Sequence, residues 1–131
     1  MGGERKMEFL VDKDIVTMDL KKGEIRVNGE LKELVPRDDK LKDVKVLKGD
    51  DFAVVEIYTE NYGVVQYIVI GGMVWHSEMC DRKAEEIKYF VKDIKKIVRV
   101  KWDESGSYAI MTEVEMRNGN RKEILIWVLD D

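Results

Sequence analysis

Two runs, FAVVEIYT (52–59) and VVQYIVI (64–70), stand on either side of the short turn segment ENYG. Both are dense in β-branched and aromatic residues, which fit a pleated surface better than a helix. The second is almost wholly apolar, the pattern of a strand covered on both faces rather than one. A chain holding such a strand must supply two layers to cover it. That requirement points to a packed, mostly antiparallel β architecture.

The rest of the chain supplies further strands. VKVL (44–47) precedes the pair across GDD, and VRVKW (98–102), YAIMTEVEM (108–116) and EILIWVL (123–129) follow it. In the middle one of these, Tyr108, Ile110, Val114 and Met116 alternate with Met111, Glu113, Glu115 and Arg117, which marks a strand with one wet face. Towards the N-terminus, EFLV (8–11), IVTMDL (15–20) and EIRV (24–27) are short strands broken by charged turns. Asn28-Gly29 is a strong hairpin signal. A two-residue turn there sets Ile25 opposite Lys32 and mixes the faces. A three-residue loop, or a helical turn through Leu31, Leu34 and Val35 ended by Pro36, fits the apolar pattern better.

One segment departs from this pattern. Ala84, Ile87, Phe90, Val91, Ile94 and Ile97 recur at three- and four-residue spacing and predict one amphipathic helix at about 82–97. Asp81 stands where an N-cap belongs, with Glu85 and Glu86 in the first turn. The expected fold class is therefore α+β, mostly antiparallel β, as a sandwich or an OB-like barrel with that single helix. Three strands, a helix and further strands is also the order of an OB-fold.

The 131 residues fit a single domain, 1–131, large enough to bury a core without staples. Within it, 1–36 read as an N-terminal β-hairpin layer and RDDK (37–40) as a linker. Two similar three-strand meanders, 43–71 and 98–129, are joined by the helix. Each meander runs strand, acidic turn, aromatic-Ala-aliphatic strand, Asn/Gly turn and aliphatic strand, an internal repeat or the shared pattern of any two meanders. The second also resembles a β-propeller blade in its turn chemistry, but a propeller needs at least four blades.

Charge and compartment follow from the composition. Charged residues make up 38% of the chain, with only four Asn and one Gln, as expected where surface ion-pair networks act at high temperature. One cysteine cannot close an intramolecular disulfide, which fits a reducing cytoplasm, the expected location. No apolar run is long enough to span a bilayer, and MGGERK lacks the apolar core of a secretory signal. No membrane partner is expected.

The chemistry-bearing residues are few. GGMVWHSEMCD (71–81) holds the sole histidine, His76, and the sole cysteine, Cys80. A Cys–His nucleophilic pair needs a helical backbone already at 76 for the two to meet, and lacks a third, orienting partner. The bland reading is a connector that ends a strand and caps the helix. One histidine and one cysteine fall short of a usual zinc set, and no phosphate-binding glycine motif is present, so no metal or cofactor is expected. Glu56 interrupts an apolar strand. With a four-residue ENYG loop it faces Tyr67 and becomes a buried acid with a raised pKa.

Residues 82–101 carry eight basic and three acidic groups. Lys88, Lys92, Lys95, Lys96 and Arg99 form a basic stripe along one flank of the expected helix. The leading functional reading is a small noncatalytic interaction or accessory module with a protein partner, or self-associating through a sheet edge or the helix. The alternative is an OB-like protein binding single-stranded nucleic acid through that stripe. A second alternative is a thiol-dependent enzyme at Cys80 and His76.

Overall fold

The computed structural model describes residues 6–35, 41–83, 86–102 and 109–129, the last residue of the third segment by its backbone alone. These residues form eleven strands in two antiparallel sheets. β1 (Lys6–Val11), β2 (Asp14–Asp19), β3 (Glu24–Val27) and β4 (Glu30–Leu34) make a four-stranded meander. β5 (Leu41–Lys48), β6 (Phe52–Thr59), β7 (Val64–Ile70), β8 (Met73–Asp81), β9 (Ile94–Trp102), β10 (Ala109–Met116) and β11 (Arg121–Leu129) make a seven-stranded sheet, in the order β5-β6-β7-β8-β11-β10-β9. The larger sheet curls into a half-barrel. RDDK (37–40) and the acidic turn of the second meander, residues 103–107, lie outside the described residues.

Strand alternation divides the core. Ala53, Val55 and Ile57 of β6 and Tyr67 and Val69 of β7 pack against Val16, Met18, Ile25 and Val27 of the four-stranded sheet. Their neighbours Phe52, Val54 and Ile68 turn the other way, into the half-barrel, with Met79, Ile110, Val114, Ile124 and Ile126. β6 and β7 are thus covered on both faces, as the apolar run at 64–70 requires. β10 buries Ile110, Thr112, Val114 and Met116 and leaves Glu113 and Glu115 on the outer face, the alternation read from its sequence.

Among the described residues no helix forms at 82–97. Residues 86–90 are a loop, followed by a 3-10 turn at Val91–Asp93 and then strand β9, while Ala84 and Glu85 lie outside the described residues. Two β-bulges in β9 explain the helical appearance. The pairing runs Ile94↔Met116, Lys96↔Glu115, Ile97↔Val114, Arg99↔Glu113 and Val100↔Thr112. Lys95 and Val98 are the extra residues. Each insertion resets the two-residue period, so Ile94, Ile97 and Val100 face inward at three-residue spacing. That spacing imitates one side of a helix, while the run IKKIVRV has the β-branched content of a strand. The bulges also add local twist, which suits a sheet that curls.

A bulge resolves the Asn28-Gly29 hairpin as well. Val27 pairs with Glu30 across a two-residue turn, with φ of 51° at Asn28 and 84° at Gly29, the left-handed values of a type I′ turn. Pairing then shifts from Arg26↔Leu31 to Ile25↔Glu33, leaving Lys32 as the extra residue. The expected longer loop or helical turn is replaced by a bulged strand, β4. Asn28 ties the turn to β2, because its Oδ1 accepts the Ile15 amide at 2.9 Å.

GGMVWHSEMCD is also not a connector. Gly71 and Gly72, with φ of 59° and 76°, form a tight hairpin turn, and residues 73–81 are β8, the central strand of the larger sheet. The two meanders flank it, β5–β7 on one side and β9–β11 on the other. No helix among the described residues is long and apolar enough to cross a membrane.

The bulged register of β9 makes a direct prediction. Ile94 is 2% exposed and faces the half-barrel, so Ile94→Ala is expected to cost about 2–4 kcal/mol. The bulged, outward Val98 is expected to tolerate Thr within about 0.5 kcal/mol. Chemical denaturation of the two variants checks this, and equal sensitivity would contradict the register.

Candidate functional site

β7 and β8 pair only from Ile70↔Met73 to Tyr67↔His76. Beyond that point they splay, and β8 continues alone on this side while β11 pairs along its other edge through Asp81. The chain after β8 folds back into the gap. The Asp81 amide donates to the Ile87 carbonyl at 3.2 Å, and the Tyr89 amide donates to the Met79 carbonyl at 2.8 Å. This strap, residues 86–93, carries the chain from the middle of the sheet to its far edge at β9.

The side chain of Gln66 fills the position that a missing peptide would occupy. Its Oε1 accepts the Met79 amide at 3.1 Å and its Nε2 donates to the Tyr89 carbonyl at 2.8 Å. Those two contacts fix the orientation of the amide. Nε2 also donates to Oε2 of Glu56, the residue directly opposite on β6. Oε1 of Glu56 accepts the Tyr58 hydroxyl at 2.6 Å and the Val91 amide at 2.7 Å. One carboxylate therefore joins β6, β7 and the 3-10 turn.

Glu56 is fully buried. Burial pushes its pKa up, while the hydrogen bonds from Tyr58, Gln66 and Val91 pull it back, and burial outweighs them. Burial and the bond to Glu56 in turn push the Tyr58 hydroxyl well up, and burial with the bond to Asp81 raises that of Tyr89. The buried acid expected from the sequence is present, but its partner is Gln66 rather than Tyr67. Thr59 bonds Gly63, so the loop holds three residues, and the register moves by one. Gln66 was missed. Its signal is a lone amide inside an otherwise apolar strand, one position from the expected partner.

Tyr67 instead packs on His76, with ring centroids 4.9 Å apart. His76 and Cys80 are four residues apart on one extended strand, which separates them by roughly 13 Å. Cys80 is 1% exposed and packs with Ala109 and Leu125 on the outer face of the sheet. The strand geometry does not bring the thiol and the imidazole together.

Without the helix, the basic residues no longer share a helical flank. Lys88 pairs with Glu78 at 2.6 Å, Lys95 with Glu115 at 3.5 Å and Arg99 with Glu113 at 2.8 Å. A dent on the outer face is lined by Arg99, Lys101, Met111, Glu113 and Glu123. Lys92 lies over the rings of Tyr58 and Phe90, at 5.9 and 5.7 Å from their centroids. Among the described residues, no three His, Cys, Asp or Glu side chains gather as metal ligands.

Compared with protein-family models, curated proteins and solved structures, the chain matches none.

The Glu56 hub yields a stability prediction with a defined sign. Glu56→Gln sets an NH2 group against the donor Nε2 of Gln66 and is expected to cost about 1–3 kcal/mol. An acid whose folded pKa is raised contributes stability that is present at low pH. That contribution is lost as pH rises from the ordinary glutamate range through the folded value. The wild-type advantage over Glu56→Gln should therefore shrink with rising pH across that window in paired denaturation curves. A growing advantage would contradict the burial-dominated assignment.

Proposed function

We propose that the protein is a noncatalytic interaction module that receives an added strand along the outer edge of β4, which among the described residues pairs only with β3. The observation that carries this reading is the pair Leu31 and Leu34, 42% and 67% exposed on one face of an edge strand. An edge strand offers unpaired backbone groups for strand addition, and neighbouring side chains supply the specificity.

The two edges of the larger sheet are defended, and β1, the other edge of the smaller one, presents a single exposed leucine, Leu10, between Glu8 and the buried Val11. β9 carries exposed Lys95, Lys96, Arg99 and Lys101 and two bulges, and β5 carries exposed Lys42, Lys45 and Lys48. Lysines and bulges are the usual means of preventing edge-to-edge association. β4 has a bulge too, but its two leucines remain outside. The catalytic centres considered from the sequence lack comparable support, since Cys80 is buried away from His76 and every oxygen of Glu56 is engaged by a donor.

A second reading, binding of a single-stranded nucleic acid, rests on the cations over half-buried rings near the strap. These are Lys92 over Tyr58 and Phe90, and Lys122 over Tyr89 at 5.7 Å. A strand could take the ammonium groups on its phosphates and stack a base on a ring. Its test is salt-dependent binding of a labelled single strand, weakened in the Lys92→Glu, Lys96→Glu double variant. No binding at low salt ends it.

For the leading reading, extended peptides are selected from a random displayed library on the wild-type protein. They are then measured on a Leu31→Arg, Leu34→Arg double variant that retains its cooperative thermal transition. The expected result is binding weakened roughly tenfold or more, the scale of losing central apolar anchors. Peptides that bind both proteins equally would contradict the use of this edge.

A further inference from the structure

We infer that Asn28 is a modification site guarded by Asp14. When the clamp between the Asn28 side chain and β2 opens, the amide is lost as ammonia, and neither product, aspartate or isoaspartate, can re-form that clamp.

Two of the four asparagines, Asn28 and Asn118, precede a glycine. Asparagine is thermolabile, and most so in this setting, because a following glycine leaves its main-chain nitrogen unhindered. That nitrogen loses its proton to a solvent base and attacks the side-chain carbon Cγ. The N–Cγ bond forms, the Cγ–Nδ2 bond breaks, and Nδ2 takes a proton from water and leaves as ammonia. Water then opens the succinimide ring at either carbonyl, giving aspartate or its main-chain isomer, isoaspartate.

At Asn28 the nucleophile is available. The turn tip is exposed, and among the described residues no hydrogen bond holds the Gly29 amide. Protection lies on the side chain. Its Oδ1 accepts the Ile15 amide at 2.9 Å and its Nδ2 donates to Oδ1 of Asp14 at 2.9 Å. The amide is thereby turned across to β2, while Gly29 leads away into β4. Held there, Cγ cannot swing onto the Gly29 nitrogen. The Asp14 carboxylate also sets a negative charge beside the carbon that an anionic nitrogen must approach. Conversion therefore needs a local opening of the clamp, a motion available to an exposed turn without global unfolding.

Closing again afterwards is blocked. Aspartate keeps the turn, but an ionised carboxylate only accepts hydrogen bonds. Its oxygen stands where Nδ2 donated to Asp14, so two like charges face each other at a hydrogen-bond distance. Isoaspartate adds a methylene to the main chain of a two-residue turn and so disrupts the Val27↔Glu30 pairing. Conversion is a one-way record that this end of the smaller sheet has opened.

Asn118 supplies a control within the same chain. There the Gly119 amide donates to the Met116 carbonyl at 2.9 Å, so the nucleophile itself is held and Asp14 has no part. The full chain is incubated at mildly alkaline pH, folded and in denaturant, and peptide mapping by mass spectrometry follows each site. Folded wild type is expected to convert Asn28 more slowly than the denatured chain by roughly tenfold or more, the scale of a hydrogen bond to a charged group. Asp14→Ala should remove most of that protection and leave the rate at Asn118 unchanged.

An Asn28 that converts equally fast folded and denatured, or that ignores Asp14→Ala, would overturn the inference. If Asp14→Ala speeds both sites together, the variant has loosened generally and Asp14→Asn decides. Its side-chain oxygen restores an acceptor for Nδ2, so continued protection of Asn28 upholds the inference and fast conversion overturns it.

Discussion

Where β7 and β8 part, the backbone groups of β8 on that side lose their strand partner inside a buried sheet. Buried peptide groups left unpaired are costly, so the fold must supply substitutes. It does so with one side-chain amide and one carboxylate. Gln66 accepts from Met79 and donates to Tyr89 and Glu56, while Glu56 accepts from Tyr58 and Val91. The strap supplies the remaining bonds at Asp81 and Tyr89. Because the strap is held there, the chain can leave the centre of the sheet and reach its far edge, and the half-barrel acquires β9.

That arrangement shows how far polar groups shape this core. Val91 and Ile94, at the end of the strap, are buried with Leu47, Phe52 and Val54 of the facing strands. The apolar contacts close the half-barrel, and the Glu56 hub sets where they occur. A fully buried carboxylate is an expensive device unless each oxygen is engaged. Here three donors meet two oxygens, and the orientation of Gln66 is itself set by backbone contacts. With every oxygen engaged, the hub acts as a structural device.

Strand existence was legible in the sequence because β-branched runs and turn residues recur along most of the chain. Two of the differences share one physical cause, the β-bulge. In β9 two extra residues converted a two-residue period into a three-residue one, and the result looked like a helix. In β4 one extra residue made a correct two-residue turn look inconsistent with its faces. The Glu56 partner was missed by a single position, since Thr59 and Gly63 close the loop one residue earlier than the count of ENYG suggests. The basic stripe was a real cluster of charges misplaced on a helix. Lys95, Lys96 and Arg99 become an edge row on β9, where Lys95 and Arg99 pair with acids of β10, while Lys88 and Lys92 lie in the strap.

The Glu56–Gln66 hub anchors the strap across the half-barrel. Native-state hydrogen exchange at the Val91 and Met79 amides tests it most directly, because those two groups donate to the hub. Both are expected to exchange only through near-global opening in the wild type, and Glu56→Ala to speed the Val91 amide by orders of magnitude while central amides of β6 change little beyond the loss of overall stability. Rapid exchange of Val91 in the wild type, or a uniform effect of Glu56→Ala across the chain, would contradict it.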